Sequence, residues 1–137
     1  MKAKAWISLL LCGCMLTACG RKEQEMQYVK TSVLYATVMD MYNYPKDYLG
    51  GQYHFVGELY ESTDDESGEV FYSVYGKNPT DSDEGIGIQL VDCSFDGLAE
   101  GDKITVEGTL DTEKGTYNGE EKEFLVLRVS MIEKRSK

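Results

Sequence analysis

Few side chains in this chain of 137 residues have the type and spacing that chemistry requires. A cysteine nucleophile needs a neighbouring base to take its proton. Cys93 is the one cysteine beyond residue 19, and the single histidine, His54, falls on a different predicted strand and on the opposite-parity face. Cys93 therefore reads as a small buried hydrophobe, and His54 as a surface strand residue. One histidine without cysteine partners cannot complete a zinc site. No nucleophile, base and orienting group can be assembled, so no catalytic residue and no cofactor is expected, and the chain is read as a non-enzyme. Two acidic loops supply oxygen ligands of the kind that hard cations take: Asp64-Asp65-Glu66-Ser67-Gly68-Glu69 and Asp81-Ser82-Asp83-Glu84-Gly85. Neither carries the complete twelve-residue calcium pattern. Asp64, Asp65, Glu66, Asp81 and Asp83 are thus weak metal candidates beside the commoner reading, a solvated hairpin loop.

Charge narrows the partners. The chain has 24 acidic and 14 basic residues, a formal balance of −10. Two of those lysines, Lys2 and Lys4, belong to a segment expected to be removed; without residues 1–18 the balance is 24 acidic against 12 basic, or −12. Nucleic-acid binders displace counterions with clustered Lys and Arg. Double-stranded nucleic acid is excluded as a partner. Three of the four cysteines, Cys12, Cys14 and Cys19, lie near the N-terminus, so no internal disulfide framework is left.

The first twenty residues read as an address. Lys2 and Lys4 precede an uncharged run from Trp6 to Leu16, shorter than the roughly 20 residues a spanning helix needs and of the right length for a secretory leader. It ends in Leu16-Thr17-Ala18-Cys19, which resembles the bacterial lipobox, whose cysteine is lipidated before cleavage just ahead of it. Two or three acyl chains, at about 0.8 kcal/mol per buried methylene, anchor durably. Residues 1–18 are expected to be a lipoprotein signal peptide and Cys19 the lipidation site. Residues 19–30 are expected to be a lipidated tether. The membrane is then one partner, through the N-terminal lipid, and the domain lies on the extracytoplasmic face of the cell membrane, or of the outer membrane in a two-membrane source.

The elements that must position any site follow. Thr31 or Ser32 can cap a helix over 31–44 whose apolar residues Val33, Leu34, Val38, Met41 and Tyr42 recur at three- and four-residue spacing, and Pro45 stops it. The period then changes to two. Gln52–Glu61 places Tyr53, Phe55, Gly57 and Leu59 on one face; Val70–Tyr75 and Ile86–Cys93 follow; Lys103–Leu110 alternates most cleanly, with Ile104, Val106, Gly108 and Leu110 inward. Residues 94–101 have room for one helical turn, residues 111–121 read as a loop, and Glu123–Ile132 is the last strand.

A helix and five strands predict a mainly β domain over 31–133, a five-stranded OB-like Greek-key barrel with one leading helix and a short tail at 134–137. The strand pattern alone also fits another small barrel or half a sandwich. The Pro45–Tyr60 and Gly101–Leu110 stretches together resemble small bacterial OB-fold lipoproteins and the OB-like C-terminal domain of YcgQ-type membrane proteins. That resemblance implies an extracytoplasmic OB-like domain. Its members tend to carry paired cysteines after the third strand, where this chain has Cys93 alone between Asp92 and Asp96. On OB barrels the face of strands two and three binds ligands by aromatic stacking. Tyr53, Tyr60, Tyr72 and Tyr75 form the candidate binding face; the alternative is that two or three of these rings pack the barrel. The resulting expectation is a lipid-anchored, non-catalytic binding module of the cell envelope that recruits an envelope protein or a glycan. The alternative is an accessory component of an envelope transport or metal-handling system. Cys19→Ser is expected to move the protein from the membrane pellet to the soluble fraction; continued sedimentation of that variant would dismiss the lipid anchor.

Overall fold

The computed structural model describes residues 25–135. The expectations for residues 1–18 and Cys19 lie outside them. Seven elements follow in order: β1 (Met26–Val29), α1 (Thr31–Asn43), β2 (Gln52–Thr63), β3 (Val70–Asn78), β4 (Asp81–Val91), β5 (Lys103–Tyr117) and β6 (Glu120–Lys134), with a 3-10 turn at Pro45–Asp47 after the helix.

Alternation of apolar and polar residues sets the register of the long strands, and the pairing closes them into a barrel. β2 pairs antiparallel with β3 through its C-terminal half and with β5 through its N-terminal half. β3 pairs with β4, and β5 with β6. A short parallel contact, Gln89–Val91 against Val126–Arg128, joins β4 to β6 and completes the ring. The fold is therefore mainly β, a closed five-stranded OB-like barrel with one helix before it, as the sequence predicts. Phe55, Val74, Ile88, Ile104, Val106 and Leu127 fill its interior at zero exposure.

The helix closes one mouth. Only Leu34, Val38 and Met41 of its apolar set are buried. Val33 and Tyr42 stay exposed, because a short helix laid across a barrel end covers a narrow stripe. Leu34 occupies the space that side chains at two inward-facing strand positions would need. A Cβ on Gly57 would come within 2.7 Å of its Cδ2, and one on Gly76 within 2.9 Å of its Cγ and Cδ2. No side chain caps the helix: the N-cap is Lys30, and Thr31 Oγ1 instead donates to the Val56 carbonyl at 3.1 Å.

Four other boundaries differ from the sequence reading. Residues 26–29 of the expected tether form β1, parallel to β2, with the Tyr28 ring against His54 at a centroid distance of 4.6 Å. The expected loop at 111–121 is the outer part of the β5–β6 hairpin, turned by Asn118 and Gly119, both with positive φ. This is the two-residue turn that Asn-Gly favours between strands. Residues 76–78 and 81–85, read as loop, are strand around a turn at Asn78-Pro79-Thr80, where Asn78 Oδ1 accepts from the Thr80 N–H. No helical turn forms at 94–101, because Gly97 and Gly101 adopt left-handed φ values of 82° and 93°.

Arg128 braces the parallel closure. Its Nε donates to Asp111 at 2.6 Å, and its Nη1 to Glu113 at 2.9 Å and Asp92 at 3.2 Å. The hydrogen bond from Arg128 holds the Asp111 carboxyl below its ordinary range. A depressed carboxyl contributes stability above its unfolded pKa and loses it as pH falls through the folded value. Arg128→Met should therefore lower Tm at pH 7, where three carboxylates are left facing one another. The deficit should shrink below about pH 4, where carboxylates protonate. A deficit independent of pH would count against this role.

Leu34→Ala should cost about 2–5 kcal/mol in denaturant unfolding. Because the three atoms nearest a Cβ at Gly76 all belong to Leu34, Leu34→Ala with Gly76→Ala should cost less than the sum of the two single substitutions.

Candidate functional site

The mouth opposite the helix carries the largest concavity described. The β2–β3 and β5–β6 hairpins run past the barrel on either side of the end of β4, and a cleft of about 1,020 Å³ lies between them. Among the described residues five carboxylates line it, Asp64, Asp65, Glu66, Glu69 and Glu113, with the one cation Lys114, and of these Glu113 is also paired with Arg128. Its apolar walls come from strand residues near the barrel end. Tyr72 of β3 stacks on Phe95 at 4.3 Å between centroids, and both are half-buried. Phe124 of β6 lies across Gly115 of β5, where a Cβ would meet its ring at 2.9 Å. Glycine at 115 is what lets that ring lie flat against the hairpin.

A second, smaller recess of about 550 Å³ sits on the outer face of β2, β3 and β4 beside the helix. Tyr60 and Tyr75 stack there at 5.0 Å and 20°.

The four tyrosines singled out from the sequence therefore occupy three environments. Tyr53 is in the core at 2% exposure, its hydroxyl donating to the Tyr48 carbonyl at 3.2 Å. Tyr72 is in the cleft; Tyr60 and Tyr75 are in the outer recess. Strand parity separates them, since Tyr72 shares the face of Val74, and Tyr75 the face of Ser73. Tyr48, which the sequence reading passed over, donates to Asp40 through its hydroxyl. That bond, with burial, pushes its pKa up to about 12.

The reactive candidates sit apart from the cleft's carboxylates. His54 Nδ1 is 2.7 Å from Glu107 Oε2 across the β2–β5 pair. Cys93 packs half-buried against the core beyond the end of β4, and burial, with the Asp92 charge, pushes its thiol pKa up. A raised thiol is a poor nucleophile near neutral pH. Of the acidic-loop residues, Asp64 accepts from the Glu66 N–H and the Ser67 hydroxyl, and Asp81 from the Asp83 N–H. Their carboxylates organise their own turns. Among the described residues, no group of three or more His, Cys, Asp or Glu side chains is placed to hold a metal ion.

No family model matches the chain, and no curated protein does. Among solved structures, the chain is similar to the small single-stranded DNA-binding protein of Streptomyces coelicolor. The identity is 13% and the TM-score 0.40, over 64% of this chain and 95% of that one. It is also similar to the mitochondrial single-stranded DNA-binding protein Rim1 of S. cerevisiae, at 15% identity and a TM-score of 0.38, over 62% of this chain and 94% of that one. At such identities the likeness concerns the fold alone. Both are named as single-stranded DNA-binding proteins, so neither supports the expectation of an envelope protein or a glycan as the partner, and that partner class is withdrawn. The chain is an OB-like small barrel.

Proposed function

We propose that this chain is a non-catalytic binding module, tethered by lipid at Cys19 to the extracytoplasmic face of a membrane, whose hairpin-flanked cleft takes a polycationic ligand. The observation that carries the ligand class is the cleft itself, with five carboxylates and one lysine around aromatic walls. Carboxylates draw a cation in, and rings hold it by cation–π attraction, worth about 0.5–1 kcal/mol per exposed contact. Support for the anchor comes from Lys2, Lys4, the apolar run to Leu16, and Leu16-Thr17-Ala18-Cys19. The stretches that resemble small OB-fold lipoproteins and YcgQ-type domains favour the same location. Support for a binding role without catalysis comes from His54, engaged with Glu107, and from Cys93, whose thiol pKa is pushed up by burial and the Asp92 charge.

Single-stranded nucleic acid, which both similar barrels bind, is the second reading. The Tyr72–Phe95 pair and Phe124 favour it, since unpaired bases stack on such rings. The carboxylates around the same cleft oppose it, because each bound phosphate would sit among negative charges.

Titration with oligolysine should show saturable binding that weakens as salt rises. Glu69→Gln and Glu113→Gln should each weaken it by about two- to fivefold. Phe124→Ala should also weaken it. Oligothymidylate should not compete. Binding of oligothymidylate with no binding of oligolysine would reverse the two readings.

A further inference from the structure

The outer recess holds a different arrangement, and we propose that it is a second binding site, for the alkylated ammonium group of a small organic cation. Its walls are three tyrosines from three elements, Tyr35 of α1, Tyr60 of β2 and Tyr75 of β3, and its rim carries Asp83 and Glu84 of β4. Among the described residues lining it there is no lysine or arginine.

The sequence builds this recess on purpose-shaped backbone. Two glycines on β4, Gly85 and Gly87, leave its outer face bare. A Cβ on Gly85 would fall 1.9 Å from the Tyr75 hydroxyl oxygen, so the Tyr75 ring lies directly over that glycine. Any other residue at 85 would lift the ring. Tyr60 then stacks on Tyr75, so each ring holds the other in place at the recess. On the helix, the Tyr42 hydroxyl donates to the Gly87 carbonyl at 2.7 Å and pins α1 against β4. Tyr35 lies seven residues earlier, about two turns along the same helix face, and is thereby held at the recess.

Chemistry selects the ligand. Ring faces carry negative potential and attract a cation that sheds its water easily, and methylated ammonium groups are such cations. A hard metal ion wants six or more oxygens and gains nothing from a ring face. One Glu84 oxygen already accepts from the Asn78 amide at 2.9 Å, which holds that carboxylate at the rim. An anion would meet Asp83 and Glu84. This recess adjoins the cleft between the hairpins through Ser62 and Ser73, but Tyr35, Tyr60 and Tyr75 line the recess and not the cleft.

The test is an NMR titration of the full-length protein with choline and with 3,3-dimethylbutan-1-ol, its neutral isostere, reading the tyrosine ring resonances. Choline should shift Tyr35, Tyr60 and Tyr75 saturably with an affinity of about 1 mM. The neutral alcohol should bind about fivefold or more weakly, because it keeps the shape and loses the charge. Tyr75→Phe should retain binding, since the ring rather than the hydroxyl is used. Tyr60→Ala, at a position 44% exposed, should lose binding with the fold retained, and Asp83→Asn with Glu84→Gln should weaken it with all rings in place. Equal binding of the two compounds, no shift with choline, or shifts confined to Tyr72 in the cleft would each overturn the proposal.

Discussion

Closing five twisted strands into a small barrel leaves two open ends, and this structure treats them oppositely. At one end Leu34 enters from the helix into space that Gly57 and Gly76 leave free. That contact seats α1, and with it Val38 and Met41, over the core. It also determines where the helix's outer tyrosines fall. At the other end no described helix covers the mouth, and the two long hairpins continue past it as walls. The cleft exists because the strands are longer than the barrel they close.

Charge is divided along the same lines. Arg128 gathers Asp92, Asp111 and Glu113 at the short parallel seam between β4 and β6, where the ring of strands is most weakly joined. The carboxylates of the β2–β3 turn, Asp64, Asp65, Glu66 and Glu69, line the open mouth instead. A barrel of this shape with a basic cleft would suit a phosphate backbone. The acidic cleft accords with the proposed ligand of opposite sign, since on a given fold surface residues set the chemistry.

Much of the fold was legible. Alternation over 52–61 and 103–110 identified the inward residues, and Pro45 marked the end of the helix. The extra strand at 26–29 was not legible, because four residues with mixed polarity carry no periodic signal and pair only because β2 offers an edge. The outer part of the β5–β6 hairpin was missed although Asn118-Gly119 is a strong turn signal, because Asp111–Glu121 is so polar. Two-stranded ribbons beyond a core need no inward apolar face.

The candidate site divides in the same way. Residue types alone determined that the chain is acidic, that it has one histidine and one cysteine beyond residue 19, and that tyrosine supplies most of its aromatic side chains. Those facts depend only on composition. Which tyrosines are buried and which line a surface was decided by tertiary structure. Tyr53 and Tyr60 share one strand and Tyr72 and Tyr75 the next, yet inward and outward faces alternate with a period of two, so neighbours in sequence are sent to opposite sides of the wall. Glycines completed the sorting: Gly85 and Gly115 matter for the rings that lie across them, Tyr75 and Phe124, and those partners are ten and nine residues away and brought close only by strand pairing.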